Sequence, residues 1–165
     1  MNEEAVNEVF ESLVGGLDYP MLIVTTAAGS EMAGCMVGFA TQSSIDPARY
    51  LVCISKRNRT HRVAEGAAVL AVHFVSSDRE DLAELFGGET GDEVDKFDRC
   101  EWREGPAGVP ILEGCGNWFA GEILTRFDLG DHTGFLLRPI GGERAHPVDS
   151  FPFHRARRIE PGHDA

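Results

Sequence analysis

The chain has 165 residues, 42% apolar and 25% charged, enough for one domain with a buried core. Its 27 Asp and Glu against 15 Lys and Arg leave a formal charge of −12. That balance argues against nucleic acid or an anionic membrane as a partner, because both demand a basic face.

The first ten residues, "MNEEAVNEVF", are acidic and carry no signal-peptide pattern, and no apolar run is long enough to span a bilayer. The expected location is therefore the cytoplasm. Cys35, Cys53, Cys100 and Cys115 form no C-x-x-C pair and read as small buried apolar residues. The six His are scattered without metal-ligand spacing, so no metal is expected.

Val6, Val9, Phe10 and Leu13 recur at helical spacing, which predicts a helix over 3–14 with Val6, Phe10 and Leu13 buried. Gly15-Gly16 ends it. Residues 19–27 and 32–41 read as two strands around a tight turn, and the β-branched stretches 49–55 and 67–75 as two more. Between the latter, Thr60 is placed to cap a short helix over 61–65. "SSDREDLAELFGG" carries a Ser77-x-x-Glu80 capping box ahead of an apolar Leu82/Leu85/Phe86 face, predicting a helix over 77–86.

Residues 88–110 are polar and read as a long excursion. Strands are expected over 115–129 and 132–140, with Pro139 forcing a bulge or an edge position, and a last strand over 148–153. Residues 1–154 form one expected domain, and 155–165 an expected disordered tail. Strands outnumber helices without βαβ spacing, so the fold class is mainly β, an antiparallel barrel or sandwich with peripheral helices.

The familiar phosphate and nucleophile signatures are absent: no G-x-G-x-x-G, no Walker A loop, no G-x-S-x-G. Three segments remain. "SKRNRTHR" (55–62) gathers Lys56, Arg57, Arg59 and Arg62 with Asn58 and Thr60 before a helix start, which suits an anion. "GDHTGF" (130–135) sets His132 at a strand start. Thr41, Gln42, Ser43 and Ser44 end a strand in a polar rim. On composition alone each also reads as an ordinary solvated loop.

Their order along the chain favours a shared purpose. "GCMVGFATQSSIDPA" (34–48), "VCISKRNRT" (52–60), "SSDREDLAELF" (76–86), "GVPILEG" (108–114) and "GDHTGF" follow one another as they do in the flavin reductase family, and the chain resembles that family across residues 20–140. The resemblance implies an FMN-binding split barrel that transfers hydride from NADH or NADPH to FMN, with FAD as the second choice. It further implies a homodimer, with reduced flavin passing to a partner monooxygenase. By the same resemblance Lys56, Asn58, Arg59 and Thr60 hold the flavin phosphate. Phe39, Ala40, Thr41, Gln42, Ser43 and Ser44 lie along the ring and ribityl chain, and His132 meets the nicotinamide as the catalytic residue. Gly38-Phe39 stands where the family often has Asn-Ser, so a bulky ring enters or flanks the ring site. A deazaflavin reductase, or a flavin- or haem-binding module without catalysis, is the alternative on the same fold.

Overall fold

The computed structural model describes residues 1–162. Alternating apolar residues set its frame. Along β1 (Leu22–Ala28), Leu22 and Val24 turn to one side, while Ile23 and the preceding Met21 turn to the other. β2 (Glu31–Val37) folds back on β1, pairing Leu22 with Val37 and Ala28 with Glu31.

The chain then breaks at Gly38-Phe39 and resumes as β3 (Ala40–Ser44), β4 (Arg49–Ser55) and, after α2 (Arg59–Glu65), β5 (Val69–Phe74). α3 (Glu80–Gly88) leads into a short ladder of β6 (Trp102–Glu104) and β7 (Pro110–Leu112). The long β8 (Asn117–Asp128) and β9 (His132–Arg144) complete the main sheet.

That sheet runs β2-β1-β5-β8-β9-β4-β3, and every pairing is antiparallel. β2 and β4 stand near its opposite ends, yet Val37 of β2 packs in one buried cluster with Val52 and Ile54 of β4. Leu22, Val24, Leu70, Val72, Phe135 and Leu137 share that interior. A flat sheet cannot bring those strands together, so this one curls into the expected barrel. A second cluster lies outside the wall, where Met21, Ile23 and Val75 meet Leu82, Ala83 and Phe86 of α3, with Phe97, Leu112 and Phe151.

Several expectations need correction. α1 (Glu3–Gly15) forms as predicted, with Asn2 accepting from the Ala5 N–H at 2.9 Å. None of its residues is buried, however: Val6, Phe10 and Leu13 are 49%, 61% and 68% exposed, because nothing among the described residues packs over them. The strand expected over 32–41 is two strands, since β3 leaves β2 to pair with β4. α3 begins three residues late. Ser77 donates to Asp149 at 2.6 Å instead of capping, and Arg79 takes the cap position without a capping bond from its side chain.

Asn58, not Thr60, caps α2. The stretch 148–153 is no strand; a single bridge from Pro20 to Pro152 leads into α4 (Phe153–Ala156). Ala156 is buried and Ile159 packs against the outer cluster, so the chain is ordered past residue 155 where a disordered tail was expected. Residues 163–165 of that tail lie outside the described residues. Pro139 does disturb its ladder: Gly121 pairs with Pro139 and Ala120 with Gly141, leaving Ile140 in a bulge.

Candidate active site

The pairing of β4 with β9 joins two segments that lie far apart in sequence. Ser55 stands opposite His132, Lys56 N–H donates to Asp131 O at 2.9 Å, and Lys56 Nζ donates to Asp128 at 2.7 Å. One turn further on, His61 Nε2 and Thr133 Oγ1 are hydrogen-bonded at 2.7 Å inside the protein. The loop after β4 and the turn before β9 therefore form one rim. Gly130 adopts φ +110°, a conformation that admits glycine readily, and lets the β8–β9 turn close there.

His132 is held on two sides. Its Nδ1 lies 2.7 Å from Asp131 Oδ1, so the ring nitrogen donates to the carboxylate, and Nε2 has no hydrogen-bond partner among the described residues. That hydrogen bond is also the main reason the Asp131 carboxyl sits below its ordinary pKa. The Phe39 ring lies 5.0 Å from the imidazole at 47°. Phe39 is 56% exposed, but its backbone is fixed by Cys53 N–H donating to Phe39 O at 2.8 Å.

Phe39, Cys53, Ser55, Asn58 and His132 line a cleft of about 320 Å³. Its floor is apolar, from Met21, Val37 and Ile54, and its far wall is the Tyr19–Phe153 stack, with ring centroids 4.6 Å apart. A Cβ on Gly38 would come within 2.8 Å of Tyr19, so glycine lets this wall approach the floor. An apolar slot with a few polar groups along one edge fits a flat heterocycle.

The proposed phosphate residues divide. Asn58 lines the cleft, whereas Lys56 follows the lining residue Ser55 and turns to Asp128, whose carboxyl pKa is lowered chiefly by that hydrogen bond. Arg59 does not line the cleft; it donates to Met32 O at 2.8 Å and lies 4.0 Å from Glu31. Thr60 is buried at 1% exposure. Both line a second groove of about 310 Å³ with buried Lys96 and the carboxylates of Glu31, Asp92 and Asp95. Lys96 spends its ammonium on Gly34 O and Phe86 O, each at 3.1 Å, and burial lowers its pKa. Those carboxylates make the second groove the poorer place for a phosphate.

Ala40 packs against the barrel interior. Thr41, Gln42 and Ser43 run along exposed β3, and the Thr41 and Gln42 side chains donate to the neighbouring carbonyls of Gln42 and Ser44. Sequence reasoning missed Asp128, Asp131, His61 and the Tyr19–Phe153 wall. The histidine in "RTHR" was visible in sequence, but its partner lies 72 residues away and no local pattern announces it.

The profile of a flavin reductase like domain matches residues 14–158. A probable flavin reductase of Rhizobium meliloti is 30% identical over 74% of this chain, which spans only 40% of that relative's length. The 4-hydroxyphenylacetate 3-monooxygenase reductase component of Salmonella typhimurium is 27% identical, covering 78% of this chain and 76% of its own. Among solved structures, an NADH:FAD oxidoreductase of Streptomyces globisporus superposes with a TM-score of 0.81 at 25% identity, over 93% of this chain and 91% of that one.

Proposed function

The chain belongs to the flavin reductase family, and from that premise we propose that its cleft binds a flavin and NAD(P)H and passes hydride from one to the other. When bound, the flavin supplies the two-electron chemistry and the nicotinamide supplies the hydride. The observation that carries the reading is the convergence of Phe39, Ser55, Asn58 and His132 on one apolar slot, with His132 Nδ1 already committed to Asp131.

The protein's part is to hold and orient two flat rings. Met21, Val37 and Ile54 exclude water from one face, and Phe39 offers an aromatic edge at the mouth. Lys56 and Asn58 meet the flavin phosphate, with Lys56 exchanging Asp128 for it. Arg59 and Thr60 support that loop from behind. Phe39 and Ala40 stand at the ring, and Thr41, Gln42, Ser43 and Ser44 continue along the outer edge. His132 orients the nicotinamide through Nε2.

FMN is the first candidate and FAD the second. Relatives named as monooxygenase reductase components support delivery of reduced flavin to a partner monooxygenase. We also read the protein as a homodimer working in the cytoplasm; among the described residues no helix is long and apolar enough to cross a membrane. Titrating the protein with FMN and FAD, followed by flavin fluorescence, should give saturable quenching. Adding NADH should then bleach the flavin absorbance. Quenching without bleaching by either nicotinamide would reduce the protein to a binding module.

A further inference from the structure

α2 has seven residues, too few to keep its place by its own hydrogen bonds, so its position is set by what it is tied to. Arg126 donates to Ala64 O and Ala67 O at its C-terminal end, and Arg59 ties it to β2 through Met32 O. Its first turn is tied to β9 by His61, whose Nε2 lies 2.7 Å from Thr133 Oγ1. Both residues are buried, at 8% and 6% exposure, and the His61 and Phe135 rings stand at 72° with centroids 6.1 Å apart. Burial lowers the His61 pKa, so at pH 7 the contact joins two neutral groups.

The two ends of this tie reach the cleft from different sides. Thr133 directly follows His132 on β9, and successive side chains of a strand leave opposite faces. His132 thus lines the cleft while Thr133 turns inward to α2. On the helix side, the His61 N–H donates to Asn58 O at 3.0 Å, and the Asn58 side chain accepts from the Thr60 N–H at 2.9 Å. Asn58 lines the same cleft as His132. The β4–β9 register runs out at Ser55 and His132; beyond them Asn58 is held by a turn bond to Ser55 O at 3.0 Å and by the helix that it caps.

We propose that His61 is a positioning residue for hydride transfer: through Thr133 it holds α2 against β9, and so sets the spacing between Asn58 and His132 across the cleft. The proposal deepens, and rests on, the reading of that cleft as the flavin and NAD(P)H site. His61 does not itself line the cleft, so its contribution is alignment. Alignment matters to the rate, since a misplacement of about 1 Å can slow a reaction about a hundredfold.

Single-turnover stopped flow tests this, with flavin-loaded protein mixed against a series of NADH concentrations. Bleaching of bound flavin is first order, so its rate constant is independent of how much protein is folded, whereas its amplitude is not. His61→Ala should lower the limiting rate constant by about tenfold or more and leave the half-saturating NADH concentration within about threefold of wild type. His61→Gln, a neutral side chain that brings an amide nitrogen toward Thr133 Oγ1, should recover most of that loss. Thr133→Val breaks the same bond from its other end and should slow bleaching by a similar factor. Combined with His61→Ala, it should add less than about twofold. If His61→Ala does not fold, Thr133→Val and His61→Gln carry the same comparison. A smaller amplitude with an unchanged rate constant would make His61 a stability residue and overturn the proposal. So would additive losses in the double variant, or equal losses in His61→Ala and His61→Gln. A wild type that binds flavin yet is bleached by neither NADH nor NADPH overturns the reading of the cleft, and this inference with it.

Discussion

Two histidines in this barrel show how one side chain serves opposite ends. His73 lies at 0% exposure on β5, and both of its ring nitrogens are engaged. The Leu112 N–H donates to Nε2 at 3.1 Å, which fixes the proton on Nδ1, and Nδ1 donates to Ile23 O at 3.0 Å. The ring ties β5 to β1 and β7, and burial drives its pKa down to about 4. His132 has one nitrogen bound to Asp131 and lines the cleft with the rest of its ring. His73 completes the hydrogen bonds of both ring nitrogens within the protein, whereas only one ring nitrogen of His132 has a partner among the described residues.

The largest expected effect comes from the buried ring. His73→Ala removes a buried ring and strands the Leu112 N–H and the Ile23 carbonyl, so stability should fall by about 3–5 kcal/mol in urea unfolding. A second test keeps the ring and changes the pH. The folded-state pKa of His73 is depressed, so the unfolded chain takes up the proton first as the solution is acidified. Its contribution is thus intact above pH 6.5 and is lost as pH falls to about 4. That span, at about 1.36 kcal/mol for each pKa unit, is worth about 3 kcal/mol. The difference in stability between wild type and His73→Gln should shrink by about that amount between those pH values; a constant difference would mean that His73 does not stay neutral.

On the rim the effects are smaller and fall on binding. Lys56→Ala should weaken flavin binding by about 1–2 kcal/mol, because Lys56 must leave Asp128 to reach a phosphate. Arg59→Ala should cost less than about 1 kcal/mol, since Arg59 faces the Met32 carbonyl across α2. Fluorescence titration separates the two. A larger loss for Arg59 would move the phosphate into the groove beside Lys96.

What could be read from the sequence follows the range of the interaction. The strands β1, β4 and β5 were legible because apolar and β-branched runs bounded by turns are local signals, and so was the strand start at His132. α1 was legible as a helix, but its face was assigned to the core by periodicity alone, which cannot tell a core from another molecule. The loop 55–62 was legible as a cationic segment. That Lys56 turns to Asp128 and Arg59 to the Met32 carbonyl depends on partners that only the folded barrel supplies. Ser77 failed as a cap for a like reason, because Asp149 accepts its hydroxyl.

The central claim is that the rim works on the nicotinamide while the cleft holds the flavin. Stopped-flow reduction of bound flavin by NADH, run on wild type and His132→Ala at matched flavin occupancy, tests it most directly. The account predicts flavin affinity within about threefold of wild type, and a reduction rate lower by about tenfold or more, or an equivalent rise in the NADH concentration needed. An unchanged rate and unchanged NADH dependence would contradict it and leave His132 as a turn residue beside Phe39.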